Sequence, residues 1–253
     1  KISMISLSSA SWKIEQIEAV LFDKDGTLID SHVYWGRIIE KRSRALIKAF
    51  KLKDEMHPAL CKKMGFLLEK RMLLPEGPIA LVGREKVIEI LVNFLVEQGV
   101  SVAFPEIDKL FIEVRSDFLK EISAYIRILP GAEEFLKKIK DKKIKTAVVT
   151  ADSIKNTREI IRLLNIDKYF DLLLCREETP LPKISGKPAL IALERLDIEP
   201  AGAIAIGDSP MDITMAKQAH LKAAVAVALG QVSFEELKKE TAYVVNGYNE
   251  LSV

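Results

Sequence analysis

The sequence is poor in the residues that build disulfide frameworks and soft-metal sites. Among 253 residues there are two cysteines and three histidines. Cys61 and Cys175 lie far apart and belong to no CxxC motif, which excludes a disulfide framework and predicts a reduced, cytoplasmic protein. Cys175 ends the apolar run 172–174, so its position indicates strand core rather than a reactive thiol.

A strong charge of one sign and long apolar runs are also missing. The 38 Lys and Arg residues nearly match the 36 Asp and Glu residues, and the net charge is +2. This balance gives no bias toward nucleic acid or anionic lipid. No run of about 20 apolar residues is present, so we expect no membrane span. Residues 1–10 lack the apolar stretch of a secretory signal, and residues 1–15 are expected to form a tail or an edge segment.

The carboxyl-terminal half alternates between two kinds of hydrophobic pattern. From residue 129 onward, short apolar runs alternate with amphipathic helical patterns, which predicts a parallel sheet with helices on both faces. The apolar run Ala19–Phe22 has no strand near it in sequence, so it must join this later sheet. The predicted strands are 145–150, 172–175, 203–206, 223–229 and 243–245, and the main helices are 154–164, 188–196 and 209–219.

The segment between residues 31 and 127 shows helical spacing almost throughout. Ile38, Ile39 and Leu46 follow this spacing, as do Val87 and Leu91. We therefore predict an α/β fold: a Rossmann-like, doubly wound parallel sheet with an inserted all-α domain. The predicted core comprises residues 16–30 and 128–253, and the predicted helical cap comprises residues 31–127.

Acidic and hydroxyl side chains follow three of the predicted strands. Asp23 and Asp25 follow the first, Thr150 ends another, and Asp208 and Asp212 follow the strand at 203–206. In an open parallel sheet, ligands bind beyond the carboxyl ends of the strands. We therefore expect these side chains to converge on one crevice.

Several carboxylates in one crevice repel each other unless a cation lies among them. No histidine or cysteine accompanies them, and oxygen ligands suit magnesium. An anionic substrate also needs a positive group. Lys187 can supply it from the amino end of a helix, where the helix dipole is also positive. Lys183 is the competing candidate, and the neighbouring Gly186 and Pro188 favour Lys187.

Four segments resemble the motifs of the haloacid dehalogenase superfamily in order and spacing. They are Asp23-Lys24-Asp25-Gly26-Thr27, Val148-Val149-Thr150, Gly186-Lys187-Pro188 and the segment 207–212 that contains Asp208, Ser209 and Asp212. The resemblance runs from about residue 17 to the end of the chain. The helical insertion resembles the cap of the subgroup that includes phosphoglycolate phosphatase and β-phosphoglucomutase.

The resemblance implies a role for each motif residue. Asp23 attacks phosphorus and becomes an aspartyl phosphate, while Asp25 acts as general acid and base. Mg²⁺ is bound by Asp23, the backbone carbonyl of Asp25, and Asp208. The phosphate oxygens are held by Thr150, the backbone at Ala151, and Lys187, while Ser209 and Asp212 support the site from behind.

The implied activity is hydrolysis of a small phosphorylated metabolite of the phosphoglycolate or sugar-phosphate kind. Asp25 favours phosphoryl transfer over dehalogenation, which needs no acid at that position. A β-phosphoglucomutase-type phosphomutase is the alternative enzyme, and a non-catalytic module on this fold is the alternative of another class. Monomer and homodimer both remain open. Four residues of the helical segment are candidates for substrate contact, with packing or solvent exposure as the alternative: His32, Trp35, Arg37 and Arg84.

The sequence departs from the family pattern at Ala151, at Asp152 and at the pair 229–230. Ala151 stands where related phosphatases often have Asn, and Asp152 adds a negative charge that we interpret as a helix cap. Leu229 and Gly230 replace a frequent Trp-Gly pair. We expect neither Leu229 nor Gly230 to touch the reacting groups.

Overall fold

A computed structural model of the chain describes residues 5–179 and 181–253. These residues form two compact units. The first comprises residues 5–30 and 127–253, and the second comprises residues 31–126. Arg127 falls in the first unit rather than in the helical segment, because its carbonyl accepts the N–H of Asp30 at 2.9 Å.

A six-stranded parallel sheet forms the centre of the first unit. Its strands are β3 Ala19–Phe22, β6 Lys145–Val149, β7 Leu172–Leu174, β8 Ala203–Gly207, β9 Ala223–Val227 and β10 Tyr243–Val245. Across the sheet they lie in the order β10-β9-β8-β3-β6-β7. The apolar runs in the sequence are continuous because these strands are buried on both faces of the sheet.

Helices connect these strands. They are α6 Ala132–Asp141, α7 Ile154–Leu163, α8 Lys187–Leu196, α9 Pro210–Gln218 and α10 Phe234–Glu240. Local sequence explains several of their starts. The Ser153 side chain accepts the N–H of Asn156 at 3.3 Å before α7, and Pro188 occupies the first turn of α8.

The strand order places β3 at the middle of the sheet. Phe22 pairs with Val148 of β6 on one side and with Ile206 of β8 on the other. The residues that follow these three strands therefore emerge side by side at one edge. This parallel sheet confirms the predicted α/β class and its Rossmann-like core.

The amino-terminal segment also belongs to the first unit. Strand β1, Ser6–Ser8, pairs in antiparallel fashion with β2, Lys13–Glu15. Ser8 further bridges to Ser252 near the carboxyl end of the chain. The segment predicted as a tail or an edge is therefore paired from residue 6 onward, and residues 1–4 lie outside the described part.

The second unit is built of helices around their own hydrophobic core. The helices are α1 Ser31–Ala49, α2 His57–Met64, α3 Pro78–Leu81, α4 Arg84–Glu97 and α5 Phe104–Lys120. A short antiparallel pair, β4 Phe66–Leu67 with β5 Met72–Leu73, accompanies them. Ile39, Leu60, Leu91 and Phe111 are buried together in the core. Across the described residues, no helix combines the length and the apolar character that crossing a bilayer requires.

The buried β3 strand gives a test of where the first unit derives its stability. Leu21 is fully buried, whereas Leu163 on α7 is 49% exposed. We expect Leu21→Ala to lower the free energy of unfolding by about 2–5 kcal/mol through lost burial and the cavity that remains. The same substitution at Leu163 is expected to change it by less than about 1 kcal/mol. Urea denaturation followed by circular dichroism measures both, and equal losses would contradict this placement of the core.

Candidate active site

Three carboxylates meet at the carboxyl edge of the sheet. Asp23 follows β3, Asp208 follows β8, and Asp212 lies in the first turn of α9. One oxygen from each lies within 4.8 Å of the others. The parallel pairing of β3 with β8 produces this meeting, because it brings the ends of two distant segments to neighbouring positions.

Lys183 joins two of these carboxylates. Its Nζ lies 2.6 Å from Asp23 Oδ1 and 2.5 Å from Asp212 Oδ1, and the side chain is almost completely buried. Burial opposes the charge of this ammonium, but the carboxylates of Asp212 and Asp23 outweigh it and raise the pKa of Lys183 above its usual value. Lys183 is therefore a fixed cation in the site.

The structure brings Lys183, rather than the predicted Lys187, to the carboxylate cluster. Lys183 lies in the single helical turn Lys183–Ser185, and Gly186 follows with a left-handed φ of 74°. The reversal at Gly186 separates that turn from α8, so that Lys187 begins the helix with an exposed side chain. Lys187 takes part in none of the ion pairs found among the described residues.

Burial and mutual repulsion control the carboxyl groups. Burial raises the pKa of Asp23 to about 6; Lys183 opposes this rise, while Asp212 and Asp25 add to it. Burial also raises the pKa of Asp208 well above its usual value, and the charges of Asp23 and Asp212 contribute. Three carboxylates with one ammonium leave two negative charges in the buried cluster.

Close backbone approach surrounds Asp208. A Cβ at Gly230 would lie 1.7 Å from Asp208 Oδ2, and one at Gly26 would lie 2.2 Å from the same atom. The expectation that residues 229 and 230 stay clear of the reacting groups is therefore wrong for Gly230. Thr27 Oγ1 lies 3.4 Å from Asp23 Oδ2 and 3.5 Å from Asp208 Oδ1, between the two carboxylates.

Ser209 and Asp212 form a capping box at the start of α9. The Ser209 N–H and hydroxyl donate to Asp212 Oδ2 at 3.1 and 2.7 Å. The other oxygen of Asp212 contacts Lys183. Asp212 therefore links the start of α9 to the buried ammonium.

The second motif aspartate lies in a separate ion-pair group. Lys24 is fully buried, and its Nζ lies 2.7 Å from Asp25 Oδ2 and 3.1 Å from Asp152 Oδ2. Burial disfavours the charge on Asp152, yet Lys24 and the hydrogen bonds from Asn156 and Ser153 hold the pKa of Asp152 below its usual value. The interpretation of Asp152 as a helix cap is wrong, because Ser153 caps α7 and Asp152 is instead a counterion of Lys24. The sequence analysis gave the Lys24 side chain no role, since it lies between two aspartates just beyond the apolar run Ala19–Phe22.

Thr150 and Ala151 line a cavity of about 330 Å³ in the first unit. Lys183, Arg176 and Thr179 line it as well, with apolar walls from the strand ends. Thr150 Oγ1 accepts the N–H of Asp152 at 3.2 Å, which leaves its own O–H available as a donor. Thr150 and Lys183 therefore line the same cavity.

Tyr248 is a further neighbour of the site that no sequence pattern marks. Its hydroxyl donates to the Thr27 carbonyl at 2.8 Å, and its side chain is buried. Burial raises the pKa of Tyr248 well above its usual value, with Asp23 and Asp208 adding to the effect. Tyr248 therefore stays neutral and fixes the loop that carries Thr27.

The four residues predicted to contact substrate all have partners inside the helical unit. His32 Nδ1 accepts the Leu73 N–H at 3.0 Å, and Trp35 packs edge-on against Tyr34. The other two form ion pairs: Arg37 with Glu40 at 3.2 Å, and Arg84 with Asp108 at 3.1 Å. Substrate contact by His32, Trp35, Arg37 and Arg84 stays a prediction.

Comparison with known proteins places this geometry in a family. A family model described as haloacid dehalogenase-like hydrolase matches residues 17–220. A protein of Caldanaerobacter subterraneus named "Putative pyrophosphatase PpaX" is 30% identical over 228 residues, which cover 89% of this chain and 88% of that protein. The phosphoglycolate phosphatase of Aquifex aeolicus is 29% identical, over 83% of this chain and 85% of that one.

A solved structure shares the fold. The Thermotoga maritima protein named "putative beta-phosphoglucomutase" superposes with a TM-score of 0.69 at 22% identity and covers 92% of this chain and 96% of its own. The expectation of a hydrolase of the phosphoric monoester type is confirmed by the family match and by relatives named as phosphatases. The chain belongs to the haloacid dehalogenase-like hydrolases.

Proposed function

We propose that the chain is a magnesium-dependent phosphatase that hydrolyses a small phosphorylated metabolite through an aspartyl phosphate on Asp23. One observation carries this proposal above the others. Lys183 lies between Asp23 and Asp212, at the edge of a cavity that also contains Thr150. A carboxylate nucleophile beside a fixed ammonium and a hydroxyl donor is suited to attack on a phosphate group.

The residues fit a divalent cation at Asp23 and Asp208. Both oxygens of Asp212 are engaged, by Lys183 and by Ser209, whereas Asp208 shares no ion pair with any described residue. A buried carboxylate without a cation partner is unfavourable, and one Mg²⁺ would balance the two excess negative charges. Asp23, Asp208 and the carbonyl of Asp25 would hold the ion. When bound, it would neutralise charge on the transferred phosphoryl group.

We assign the steps of the reaction to the two motif aspartates. A carboxylate oxygen of Asp23 bonds to phosphorus while the bond to the leaving oxygen breaks, and the leaving oxygen takes a proton from Asp25. In the second half, water gives a proton to Asp25 and bonds to phosphorus. The bond between Asp23 and phosphorus then breaks, which releases phosphate and restores both aspartates.

Phosphate oxygens are assigned to the groups that line the cavity. The Lys183 ammonium and the Thr150 hydroxyl supply a charged and a neutral donor, and the N–H of Ala151 extends the same loop. Lys183 takes the role that the sequence had given to Lys187. Its ion pair with Asp212 keeps the ammonium oriented before substrate arrives.

Hydrolysis is favoured over the phosphomutase alternative by the comparisons at higher identity. The two curated relatives, at 30% and 29% identity, are named as a pyrophosphatase and a phosphatase. The similarity to a β-phosphoglucomutase is at 22% identity and supports the fold alone. We infer a leaving group of the phosphoglycolate or sugar-phosphate kind. That the enzyme is cytoplasmic, and that it is a monomer or a homodimer, remain predictions. Cys61 and Cys175 are both buried free thiols.

Phosphate release from a panel of phosphorylated metabolites tests the proposed function. We expect Mg²⁺-dependent release with the wild-type protein and a loss of at least about 10³-fold with Asp23→Asn, because the nucleophile is removed. The matched control is Asp117→Asn on the exposed face of α5, which should retain activity. Conversion of a hexose 1-phosphate to its 6-phosphate without net release would instead establish the mutase.

The assignment of the site lysine is tested by two alanine variants. Lys183→Ala is expected to lower kcat/KM by about 10²-fold or more, since a charged donor to the phosphate is lost. Lys187→Ala removes an exposed ammonium of the same kind and should stay within about twofold of wild type. Steady-state kinetics with p-nitrophenyl phosphate would measure both. A larger loss at position 187 would refute the assignment to Lys183.

Metal binding is expected to show a pH-dependent stabilisation. The pKa of Asp23 is raised from 3.8 to about 6, so its contribution to stability is present below about pH 4 and is lost as the pH rises through about 6. Mg²⁺ at 100 times its Kd should add about 2.7 kcal/mol, and this gain should be larger at about pH 7.5 than at about pH 5, where protons compete.

Thermal unfolding with Mg²⁺ or with a chelator would measure this stabilisation. Asp208→Asn should remove most of the magnesium-induced increase in Tm, because it removes a ligand of the ion. Asp117→Asn changes an exposed carboxylate on α5 and should preserve the increase. An increase that is the same in both variants would place the metal elsewhere.

A further inference from the structure

The buried Lys24 lies directly between the two motif aspartates in sequence, but its charge is used outside the carboxylate cluster. Its Nζ contacts Asp25 Oδ2 at 2.7 Å and Asp152 Oδ2 at 3.1 Å, and the side chain is completely shielded from solvent. Burying an ammonium with two carboxylates carries a desolvation penalty that an apolar residue would avoid. The arrangement therefore calls for an explanation beyond packing.

Asp152 is held rigidly, so it can serve as an anchor for Lys24. Its Oδ1 accepts the Ser153 N–H at 2.7 Å, and its Oδ2 accepts from Asn156 Nδ2. The backbone of Asp152 is hydrogen-bonded on both sides. Its N–H donates to Thr150 Oγ1 at 3.2 Å, and its carbonyl accepts the Arg176 N–H at 3.0 Å. The Asp152 carboxylate cannot turn without breaking several hydrogen bonds.

The Asp25 carboxylate has fewer partners than that of Asp152. Its Oδ2 is engaged by Lys24, whereas its buried Oδ1 has no hydrogen-bond partner among the described residues. A buried polar atom left without a partner in an otherwise satisfied network is a candidate for contact with substrate or water. Asp25 is also outside the group of carboxylates formed by Asp23, Asp208 and Asp212.

We propose that Lys24, anchored by Asp152, is a positioning residue that orients the Asp25 carboxyl group so that Oδ1 faces the leaving oxygen of the substrate. This inference rests on the proposed function, in which Asp25 exchanges a proton with that oxygen. Lys24 touches no reacting atom itself. It holds Oδ2 and thereby fixes which oxygen of Asp25 is presented.

The dependence of rate on the leaving group separates this role from a merely structural one. Phenyl phosphate and p-nitrophenyl phosphate are similar in shape, but phenolate is the poorer leaving group and needs the proton more. The ratio kcat/KM covers all steps up to departure of the leaving group. Loss of the orientation of Asp25 should therefore weaken hydrolysis of phenyl phosphate much more than that of p-nitrophenyl phosphate.

The variant that tests this is Lys24→Met combined with Asp152→Asn, which removes the ammonium together with its anchoring charge. We expect kcat/KM for phenyl phosphate to fall by about 10²-fold and that for p-nitrophenyl phosphate by less than about tenfold. The matched control is Lys120→Met with Asp117→Asn, which removes an exposed ion pair of 2.8 Å and should leave both ratios unchanged.

Equal losses on the two substrates in a folded, active variant would overturn the inference and leave the proposed function standing. If the wild-type protein hydrolyses neither substrate, both are overturned. Should the double variant fail to fold, Asp152→Asn alone provides the measurement, because it keeps the buried ammonium beside Asp25 and frees only its anchor. The loss for phenyl phosphate should then exceed that for p-nitrophenyl phosphate by about threefold, and equal ratios would again overturn the inference.

Discussion

Repulsion between buried carboxylates is the constraint on which this site depends. Asp23, Asp208 and Asp212 each bring an oxygen within 4.8 Å of the others, and among the described residues Lys183 supplies the ammonium that pairs with Asp23 and Asp212. Such a cluster is unfavourable unless it is paired with cations. Lys183 relieves the part of the repulsion that falls on Asp23 and Asp212. Asp208 is left for a second cation, and this division of partners is what makes the cluster suited to a divalent metal next to a nucleophile.

The sheet supplies the geometry that local sequence could not. Strand β3 lies between β6 and β8, so residues about 125 and 185 positions apart end up at adjacent strand ends. Close backbone approach then removes the space in which the carboxylates could move apart. Gly26 and Gly230 both press against Asp208, and a side chain at either position would collide with its oxygen. The same packing that holds the carboxylates together also raises the pKa values of Asp23 and Asp208.

Spacing along the chain was enough to find the aspartates but not the lysine. Asp23, Asp208 and Asp212 follow apolar runs whose strand character is visible in sequence, so their convergence could be predicted from topology. Lys183 and Lys187 are four residues apart, and both precede a helix. They differ in the structure because Gly186, in a left-handed conformation, ends the short turn that contains Lys183, and the helix that begins at Lys187 follows it. Tyr248 carries no local signal, and Gly230 is marked in sequence only as part of a departure from the family pattern, because their roles come from contacts across the fold.

Lys24 shows how a residue within a recognisable motif can still be misjudged. In sequence it lies between two catalytic candidates and its side chain has no assigned role, while Asp152 is interpreted as a helix cap. In the structure each explains the other, because a fully buried ammonium requires a fixed carboxylate and Asp152 is fixed by Ser153 and Asn156. An apolar side chain at position 24 would pack without the desolvation penalty of a buried charge. We therefore explain the charge of Lys24 by its contact with Asp25, whose other carboxylate oxygen has no hydrogen-bond partner among the described residues.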